Sequence, residues 1–468
     1  MTRVLAASLS MAFVAALGTL ATPLSAATRQ SVSLPASIPS DCAHGDTTGP
    51  LWQFLATVPS GSTVTFPENG CFIVNETLLL QDTSGLTIDG NGSTLEQTAS
   101  PTNPAPLVEL WNDSNLTIEN LKIEGAYDGS NGGEGEEGDY GIEFEADSGV
   151  TLTHDTVSDI QGDFLYFSPP YDVTTSDALS TDITITHSTF TNAGYHGLTV
   201  ESVGCPTLAP CNGLTISGDT FRSMGVDAMD FEYDDYSTPF NADGTPFWAA
   251  EDDVTIENNT WEDWGNDWFA SVQGQTPGVQ EQHLTLKNNE LEGDGATFEV
   301  VGTDPNSTTP PYTDADWTIT GNGFASGYYG EPYRGGTSVT AQLYNISDLQ
   351  LTGNTIPLCA GTYEAPQAAS ACSSPDEYVM DMDAVTGGSI SGNDFAGALG
   401  VVQPQPYDQN ITGVTECGNT YGAGASDAEE GCTAARQPPG SGSPPQPPGS
   451  GWPPRGHGRH LGHRQRRG

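Results

Sequence analysis

The sequence predicts an all-β solenoid, a parallel β-helix of about ten coils, and a repeated phrase is the first reason for this prediction. The phrase places a Thr between two apolar residues, as in GLTIDGNGSTL at 85–95 and DITITHSTF at 182–190. Its second apolar residue recurs every 30 to 40 residues, at Ile88, Ile118, Leu152, Ile185, Ile216, Ile256, Leu286, Ile319, Leu351 and Ile390. Such a period indicates a solenoid, in which each repeat buries its apolar face against its neighbours.

Residue types decide between kinds of solenoid. The repeats carry β-branched residues, with Gly, Asn and Asp at the corners, and no stretch keeps a helical period over several turns. A second short run precedes the phrase in several coils, at VELW (108–111), GIEFE (141–145), GLTVE (197–201), AMDFE (228–232), ATFEVV (296–301) and EYVMDM (377–382). Several strands per coil favour a parallel β-helix over a propeller, whose blades need about 40–45 residues each.

The first residues have the composition of a secretory signal peptide. Residues 1–27 contain Arg3, then an apolar run, and they close with the small residues Ser25, Ala26 and Ala27. The run is too polar for a membrane anchor, so we predict cleavage after Ala27 and a secreted, extracellular protein.

The number of cysteines also indicates a secreted protein. Eight cysteines form four local couples, Cys42/Cys71, Cys205/Cys211, Cys359/Cys372 and Cys417/Cys432. An even number in an exported chain favours disulfides over metal thiolates, while the sequence leaves the pairing open.

Composition divides the chain into four segments. We predict a signal peptide at 1–27, an N-terminal cap with the first strands at 28–84, the β-helix at 85–435 and a disordered tail at 436–468. Pro, Gly and Ser dominate the tail, which cannot bury a core. The tail is either a solvated segment or a basic arm that grips an anionic cell-wall polymer.

Charge excludes several classes of partner. All 61 acidic residues lie between 28 and 435, where only five basic residues accompany them. This excess repels nucleic acid and anionic membranes, and it repels a polyuronate unless divalent cations bridge the two. An acidic surface also suits saline or calcium-rich surroundings. The charge balance leaves the oligomeric state open.

Alignment of the upstream strands brings His196 among carboxylates. The equivalent inward residues are Ile142, Leu165, Leu198, Met229 and Phe269. Two places earlier stand Tyr140, Asp163, His196, Asp227 and Asp267, and one place later stand Glu143, Tyr166, Thr199, Asp230 and Ala270. Three places later stand Glu145, Ser168, Glu201 and Glu232. Stacked strands lie about 4.8 Å apart, so His196 is expected one coil from both Asp163 and Asp227.

These carboxylates suggest acid–base chemistry. Stacked like charges must be protonated, metal-bound or splayed apart, and a protonated carboxyl group is what a general acid requires. Strand geometry sets the Cα atoms of Asp230 and Glu232 roughly 6.7 Å apart, near the carboxyl separation of about 6.5–9.5 Å in inverting glycosidases. The predicted catalytic residues are Asp227, Asp230, His196, Glu201 and Glu232. This chemistry requires no cofactor.

Two other interpretations of the same carboxylates stay open. Crowded oxygens of Asp163, Glu201 and Glu232 also suit Ca²⁺, a cation that binds several carboxylates at once. A solvated acidic face without any chemistry is the remaining interpretation.

Aromatic residues crowd the same coils. Rigid apolar rings can cover a sugar ring, so we predict substrate contacts for Tyr166, Tyr195, Trp248, Trp264 and Trp268. Trp248 lies in a long insertion, 233–253. The segment WEDWGNDWF (261–269) follows a strand, and the alternative is that two of its three tryptophans fill the interior of the coil.

The stretch LWQFLATVPSGSTVTFP…NETLLLQDTSGLTIDGNGSTL (51–95) resembles the opening of pectate-lyase-like (pectin-lyase-like) right-handed parallel β-helix proteins of secreted actinobacterial type. The phrases AGYHGLTVE (193–201) and GVDAMDFE (225–232) resemble paired motifs of that family. The resemblance covers roughly residues 45–430. It implies a right-handed parallel β-helix whose first coil is capped by a short N-terminal α-helix. It implies activity only broadly, since the superfamily contains lyases, hydrolases, epimerases, adhesins and phage spikes.

The motifs of this chain differ from those of the characterised enzymes in the superfamily. Tyr195-His196-Gly197 precedes Asp227 and Asp230, whereas polygalacturonase-like hydrolases place Asp before Gly-His-Gly and then use Arg-x-Lys, which this chain lacks. Pectate and alginate lyases use an arginine or lysine as base or to neutralise charge. Only Arg222 lies near the central coils of this chain. Asp227-Ala228-Met229-Asp230 matches the Asp-x-x-Asp of alginate epimerases loosely.

With these residues and this resemblance we expect an extracellular polysaccharide as partner, and the favoured reaction is hydrolysis of a neutral or weakly charged glycan. One of Asp227 and Asp230 is then the acid, Glu201 or Glu232 activates water, and His196 orients them. The alternative is a non-enzymatic surface or glycan-binding protein. A calcium-dependent lyase or epimerase, with His196 or Tyr166 as base, is the third interpretation.

Overall fold

The structure of the protein is a computed structural model. It describes residues 30–99, 104–129, 138–169, 179–204, 212–232, 252–264, 267–272, 283–292, 296–301, 314–324, 332–333, 337–338, 341–344, 346–356, 380–383, 385–395, 411–421 and 433–434. The predicted signal peptide and tail lie outside these residues.

Three long sheets wind around one hydrophobic core; their strands are parallel except for the last strand of sheet 1, and most coils contribute one strand to each sheet. Sheet 1 contains β1 (Gln30–Ser33), β2 (Ser62–Thr65), β5 (Thr87–Asp89), β8 (Thr117–Glu119), β11 (Thr151–Thr153), β14 (Ile183–Thr186), β17 (Leu214–Ser217), β20 (Val254–Glu257), β23 (Thr285–Lys287), β26 (Asp314–Ala315), β27 (Thr318–Thr320), β32 (Ile346–Thr352), β34 (Thr386–Ser391), β36 (Thr415–Cys417) and β38 (Thr433–Ala434). Sheet 2 contains β4 (Leu78–Gln81), β7 (Val108–Trp111), β10 (Ile142–Glu145), β13 (Leu165–Ser168), β16 (Leu198–Val200), β19 (Met229–Glu232), β22 (Asp267–Val272), β25 (Ala296–Val301), β31 (Ala341–Tyr344) and β33 (Met380–Asp383). Sheet 3 contains β3 (Cys71–Ile73), β6 (Thr94–Glu96), β9 (Lys122–Glu124), β12 (Thr156–Ile160), β15 (Thr189–Ala193), β18 (Thr220–Met224), β21 (Thr260–Trp264), β24 (Glu290–Glu292) and β28 (Gly323–Phe324).

Two small pairs complete the strands. They are the antiparallel pair β29 (Pro332–Tyr333) and β30 (Thr337–Ser338), and the parallel pair β35 (Asp394–Phe395) and β37 (Thr420–Tyr421). The predicted all-β parallel β-helix is confirmed.

The repeated phrase forms sheet 1. Its ten predicted anchors stand opposite one another from coil to coil, from Ile88 against Ile118 through to Leu351 against Ile390. All ten are buried, because alternate residues of a strand point to one face and these point inward. The threonines between the apolar positions point outward.

The predicted alignment of the upstream strands is also confirmed. Sheet 2 pairs Ile142 with Leu165, Leu165 with Leu198, Leu198 with Met229 and Met229 with Phe269. The residues one place later, from Glu143 to Ala270, therefore form one column on the outward face of sheet 2.

A buried polar column holds the corner between sheets 1 and 3. In its amide part, each Oδ1 accepts the backbone N–H of the equivalent residue one coil earlier, as when Asn354 accepts from Asn322 at 2.9 Å. The column contains Asp155, Ser188, Asp219, Asn259, Asn289, Asn322, Asn354, Asn393 and Asn419. It satisfies backbone groups that water does not reach.

One helix precedes the coils. Helix α1 (Thr48–Leu55) buries Leu51 and Leu55 against the start of the core, as the predicted capping helix should. Stacked strands begin with β1 and β2, within the segment 28–84 predicted to hold the cap and the first strands. In the part of the chain that the structure describes, no helix has the length and apolarity that a bilayer crossing would need.

The first predicted cysteine couple is confirmed. Cys42 and Cys71 form a disulfide with Cα atoms 5.0 Å apart, which ties the segment before α1 to sheet 3. Cys417 is also disulfide-bonded. Its predicted partner Cys432, and Cys205, Cys211, Cys359 and Cys372, lie outside the described residues.

Candidate functional site

The corner between sheets 3 and 2 carries the candidate site. His196 lies between β15 and β16, and Asp163 and Asp227 occupy the same corner one coil before and one coil after it. Tight stacking here depends on glycine: a Cβ at Gly194 would collide with the carbonyl oxygen of Gln161, and one at Gly225 with that of Gly194. The segment Gly194-Tyr195-His196 therefore fits closely against the neighbouring coils, and this contact fixes where β16 begins.

His196 lies between carboxylates, as its predicted position implied. Its Nε2 is 3.3 Å from Asp227 Oδ2, while its Nδ1 is 3.6 Å from Asp230 Oδ2 and 3.8 Å from Asp163 Oδ1. The ring of Tyr195 packs on the imidazole with centroids 4.0 Å apart. The structure thus brings together three predicted catalytic residues, with Asp163 beside them.

Asp163 anchors His196. Its Oδ1 accepts the backbone N–H of His196 at 2.8 Å, and its Oδ2 accepts the hydroxyl of Thr199 at 2.9 Å. The Thr199 oxygen lies 3.1 Å from His196 Nδ1. The Asp163 carboxylate therefore holds both the backbone and, through Thr199, the ring of His196.

Asp230 and Thr199 are neighbours in the outward column of sheet 2, since β16 and β19 pair Thr199 with Asp230. Although this column faces away from the core, His196 and Asp230 are each only 3% exposed and Asp227 is 5% exposed. Burial strengthens interactions among these charges, because the interior screens charge less than water does.

Glu201 belongs to a second group on the same face. The Tyr166 hydroxyl donates to Glu201 Oε1 at 2.5 Å, and the Tyr166 ring stacks on that of Tyr140 with centroids 4.0 Å apart. Burial raises the pKa of Tyr140 well above its usual value, and the charges of Asp163 and Glu143 add to the rise. This phenol therefore stays protonated beside the carboxylates.

Two predicted site residues lie wholly or partly outside the part of the chain that the structure describes. Glu232 ends β19, and its side chain lies outside the described part of the structure, as does the whole of Trp248. Tyr166 and Tyr195 are buried at 7% exposure each. Their predicted substrate contacts, and the predicted calcium site of Asp163, Glu201 and Glu232, stay predictions.

The predicted substrate contacts of Trp264 and Trp268 need correction. Trp264 is 4% exposed, Trp268 is fully buried, and both belong to the hydrophobic core. Trp261 is buried as well and stacks on Phe221 with centroids 4.0 Å apart. All three fill the interior of the coil, where a ring gains more by leaving water than a surface position offers.

Sequence reasoning gave no role to Thr199, Tyr140 or Glu143. Thr199 bridges Asp163 and His196, Tyr140 stacks on Tyr166, and Glu143 Oε1 accepts the hydroxyl of Ser168 at 3.0 Å. The signal that could have found them was their position, since each stands in one of the two aligned columns.

Two groups of described residues have the ligand types of a divalent metal site. One oxygen or nitrogen atom each of His196, Asp227 and Asp230 lie within 4.8 Å of one another, and the same holds for Asp252, Asp253 and His283. The second group lies at the corner between sheets 2 and 1, and His283 Nδ1 is 2.8 Å from Asp252 Oδ1. Imidazole with carboxylates suits several transition metals.

Comparison with known proteins identifies the fold. Residues 64–260 match the family model described as right handed beta helix region. No curated protein matches the chain.

Solved structures extend the likeness. An exopolygalacturonase of Thermotoga maritima has a TM-score of 0.50 at 10% identity, over 86% of this chain and 95% of its own. A tailspike protein of Escherichia coli bacteriophage HK620, in complex with a pentasaccharide, has a TM-score of 0.51 at 11% identity over 82% of this chain and 65% of its own. The pre-mature gene product 12 of bacteriophage phi29 has a TM-score of 0.57 at 14% identity over 82% of this chain and 49% of its own. At such identities the likeness concerns the fold.

Proposed function

We propose that this right-handed β-helix protein is a secreted glycoside hydrolase that acts on an extracellular polysaccharide. The observation that carries the proposal is the convergence of Asp227 and Asp230 on His196, outside the core and at the outward face of sheet 2. Two carboxyl groups and an imidazole held close together can divide the roles of acid and base between them. Glycoside hydrolysis uses a protonated carboxyl group beside an ionised one.

Asp227 is the general acid in this proposal. Its side chain is 8% exposed, against 5% for Asp230 and 4% for Asp163, so it is the carboxyl group of the cluster that a substrate reaches most easily. An oxygen of Asp227 and one of Asp230 lie within 4.8 Å of each other, a gap too small for the water of an inverting mechanism, which needs about 6.5–9.5 Å. Asp230 is therefore not the base of an inverting pair with Asp227, and Glu201 or Glu232 activates water in this proposal.

Charge and the solved relatives support the class of substrate. With 61 acidic and 12 basic residues, the chain favours a neutral or weakly charged glycan. Two of the structurally similar proteins carry names tied to saccharides, the exopolygalacturonase and the tailspike crystallised with a pentasaccharide.

The experiment is a panel of neutral and acidic glycans assayed for reducing-sugar release and for unsaturated-uronate absorbance, with and without a chelator. Reducing ends without absorbance, retained in chelator, are the expected result. Asp227→Asn should lower kcat by about 10²–10⁴, the usual contribution of a general acid. Asp155→Asn, a buried aspartate at a different corner, is the matched control and should retain activity. Absorbance that the chelator abolishes would instead identify a cation-dependent lyase.

Burial of the cluster favours a second candidate function, a glycan-binding protein without catalysis. His196, Asp227 and Asp230 would then be a structural network that rigidifies the corner. Lack of product on every glycan, with binding retained after Asp227→Asn, would support this second function and contradict the first.

A further inference from the structure

We propose that Thr199 and Asp163 are positioning residues that fix a proton on Nδ1 of His196 and make Nε2 the acceptor nitrogen that faces Asp227. The tautomer follows from contacts within the chain. Only its consequence for catalysis rests on the proposed function.

The hydroxyl of Thr199 decides the tautomer. It donates its one proton to Asp163 Oδ2 at 2.9 Å, because an ionised carboxylate only accepts. Toward His196 Nδ1, 3.1 Å away, the same oxygen can then only accept. A hydrogen bond at this distance requires the proton on Nδ1.

Asp163 keeps the Thr199 hydroxyl in this orientation. Its other oxygen accepts the backbone N–H of His196 at 2.8 Å, so the carboxylate has a strong donor at each oxygen. Thr199 is 1% exposed, which leaves no bulk water to take the proton elsewhere. The register adds a constraint, since Thr199 stands between Tyr166 and Asp230 in the column of sheet 2.

Two carboxylate oxygens near Nδ1 lie farther from it than the Thr199 oxygen does. Asp230 Oδ2 and Asp163 Oδ1 lie at 3.6 and 3.8 Å, beyond the usual range of a hydrogen bond. They favour positive charge on the ring without replacing Thr199 as acceptor.

The consequence appears at the other nitrogen. With the proton of a neutral imidazole on Nδ1, Nε2 is an acceptor, and it faces Asp227 Oδ2 across 3.3 Å. Thr199 thereby prevents the arrangement in which a neutral ring donates to Asp227.

In the proposed hydrolysis Nε2 of His196 orients the carboxyl group of Asp227, the general acid. The O–H bond of Asp227 breaks and its electron pair stays on Asp227, while a new O–H bond forms on the departing sugar oxygen and the bond from that oxygen to the anomeric carbon breaks. Water activated by Glu201 or Glu232 forms the new bond to that carbon. Asp163 and Thr199 touch no substrate in this scheme. They act through His196.

The test is nitrogen NMR of protein labelled with ¹⁵N-histidine, recorded in chelator and without substrate. The His196 signals are assigned by their loss in His196→Gln. We expect the Nδ1–H form in the wild type and in Thr199→Ser, and loss of that preference in Thr199→Val. In Asp163→Asn the new amide would donate to Thr199, whose proton would turn toward Nδ1, so we expect the Nε2–H form.

A neutral Nε2–H ring in the wild type, or an unchanged ring in folded Thr199→Val and Asp163→Asn, would overturn the proposal. If Thr199→Val does not fold, Asp163→Asn decides alone, since it keeps the shape of the side chain. On an active substrate, Thr199→Val should lower kcat at least about 10-fold with little change in KM, and Thr199→Ser should restore it, because a wrong histidine tautomer is costly. The spectra are independent of turnover, so they test the tautomer even if the protein hydrolyses no glycan.

Discussion

Asn259 and Asp219 are neighbours in one buried column, and Asn259 Oδ1 accepts the backbone N–H of Asp219 at 2.8 Å. From Asn259 onward the column consists of asparagines, while Asp155, Ser188 and Asp219 precede it. An amide both donates and accepts, whereas an ionised carboxylate only accepts. An aspartate in this column can therefore both donate and accept, as the amides do, only when its carboxyl group is protonated.

Asp155→Asn should therefore stabilise the protein at pH 8. Burial raises the pKa of Asp155 from 3.8 to about 8. Between about pH 4 and pH 8 the unfolded chain loses this proton while the folded chain keeps it, so the stability due to Asp155 is complete below pH 4 and declines as the pH rises to 8. An asparagine has no proton to lose, and its amide can donate to the carbonyl of Ile118 as the later asparagines do to their equivalents.

The measurement is chemical denaturation of both proteins at pH 4.5 and pH 8. We expect the variant to gain on the order of a few kcal/mol at pH 8 and less at pH 4.5. Asp394→Asn, at an exposed aspartate, is the control and should change neither value. A gain equal at both pH values would contradict the explanation.

Asn322→Asp makes the reverse change. Asn322 Nδ2 donates to the carbonyl of Leu286 at 2.9 Å and to Asn354 Oδ1 at 3.0 Å. A carboxylate would set oxygen against oxygen at both contacts, so we expect a loss of about 2–5 kcal/mol at pH 7. Thermal denaturation should show most of this loss disappearing at pH 4, where the new acid is protonated, while Asn322→Ala should lose stability equally at both.

His283 should stabilise its corner only at lower pH. The hydrogen bond with Asp252 raises the pKa of His283, and the charges of Asp252, Asp253 and Asp316 add to the rise. For a base whose pKa is raised by folding, the gain is complete below about pH 6.5 and is lost as the pH rises through the folded value. Because the side chain is 49% exposed, the effect should be small, about 0.2–1 kcal/mol.

Denaturation of His283→Gln at pH 5.5 and pH 9 measures this effect. We expect the variant to be less stable than the wild type at pH 5.5 and equal to it at pH 9. His187→Gln serves as control, since no described carboxylate forms an ion pair with His187. An equal loss of stability at the two pH values would mean that His283 stabilises its corner by packing and not by charge.

Gly225→Ala should damage both stability and the candidate site. The added methyl group would meet the carbonyl oxygen of Gly194, which belongs to the backbone and cannot move without shifting His196. We expect a loss of at least about 2 kcal/mol. Gly323→Ala is the matched control, because nothing lies within 4 Å of the added atom. Similar melting temperatures for the two variants would show that the coils tolerate wider spacing.

Much of the fold could be predicted because it repeats. Ile88 and the other nine anchors recur at one period, and each must point inward for the repeats to share a core. The same period aligned the irregular strands of sheet 2, which placed His196 between Asp163 and Asp227.

The remainder depends on directions that periodicity does not determine. Trp264 ends β21 and Trp268 lies in β22, and sequence alone did not decide that both side chains point inward. The bridging role of Thr199 needs the rotamers of three side chains. The buried column was visible as an Asn recurring beside the repeated phrase, at Asn259, Asn289, Asn322, Asn354 and Asn393, but its burial required the structure.

The buried acids with raised pKa values lie toward one end of the described coils. Burial raises the pKa of Asp113 to about 6, that of Asp155 to about 8 and that of Asp219 to about 7, and Asp147 is shifted in the same direction. At the corner between sheets 1 and 3, the coils from Asn259 onward carry uncharged amides in place of the acids. In a solenoid each coil depends mainly on its neighbours. We therefore expect unfolding to acquire a direction in alkaline solution, with the coils around Asp113 to Asp219 opening first while those from Asn259 onward still hold together.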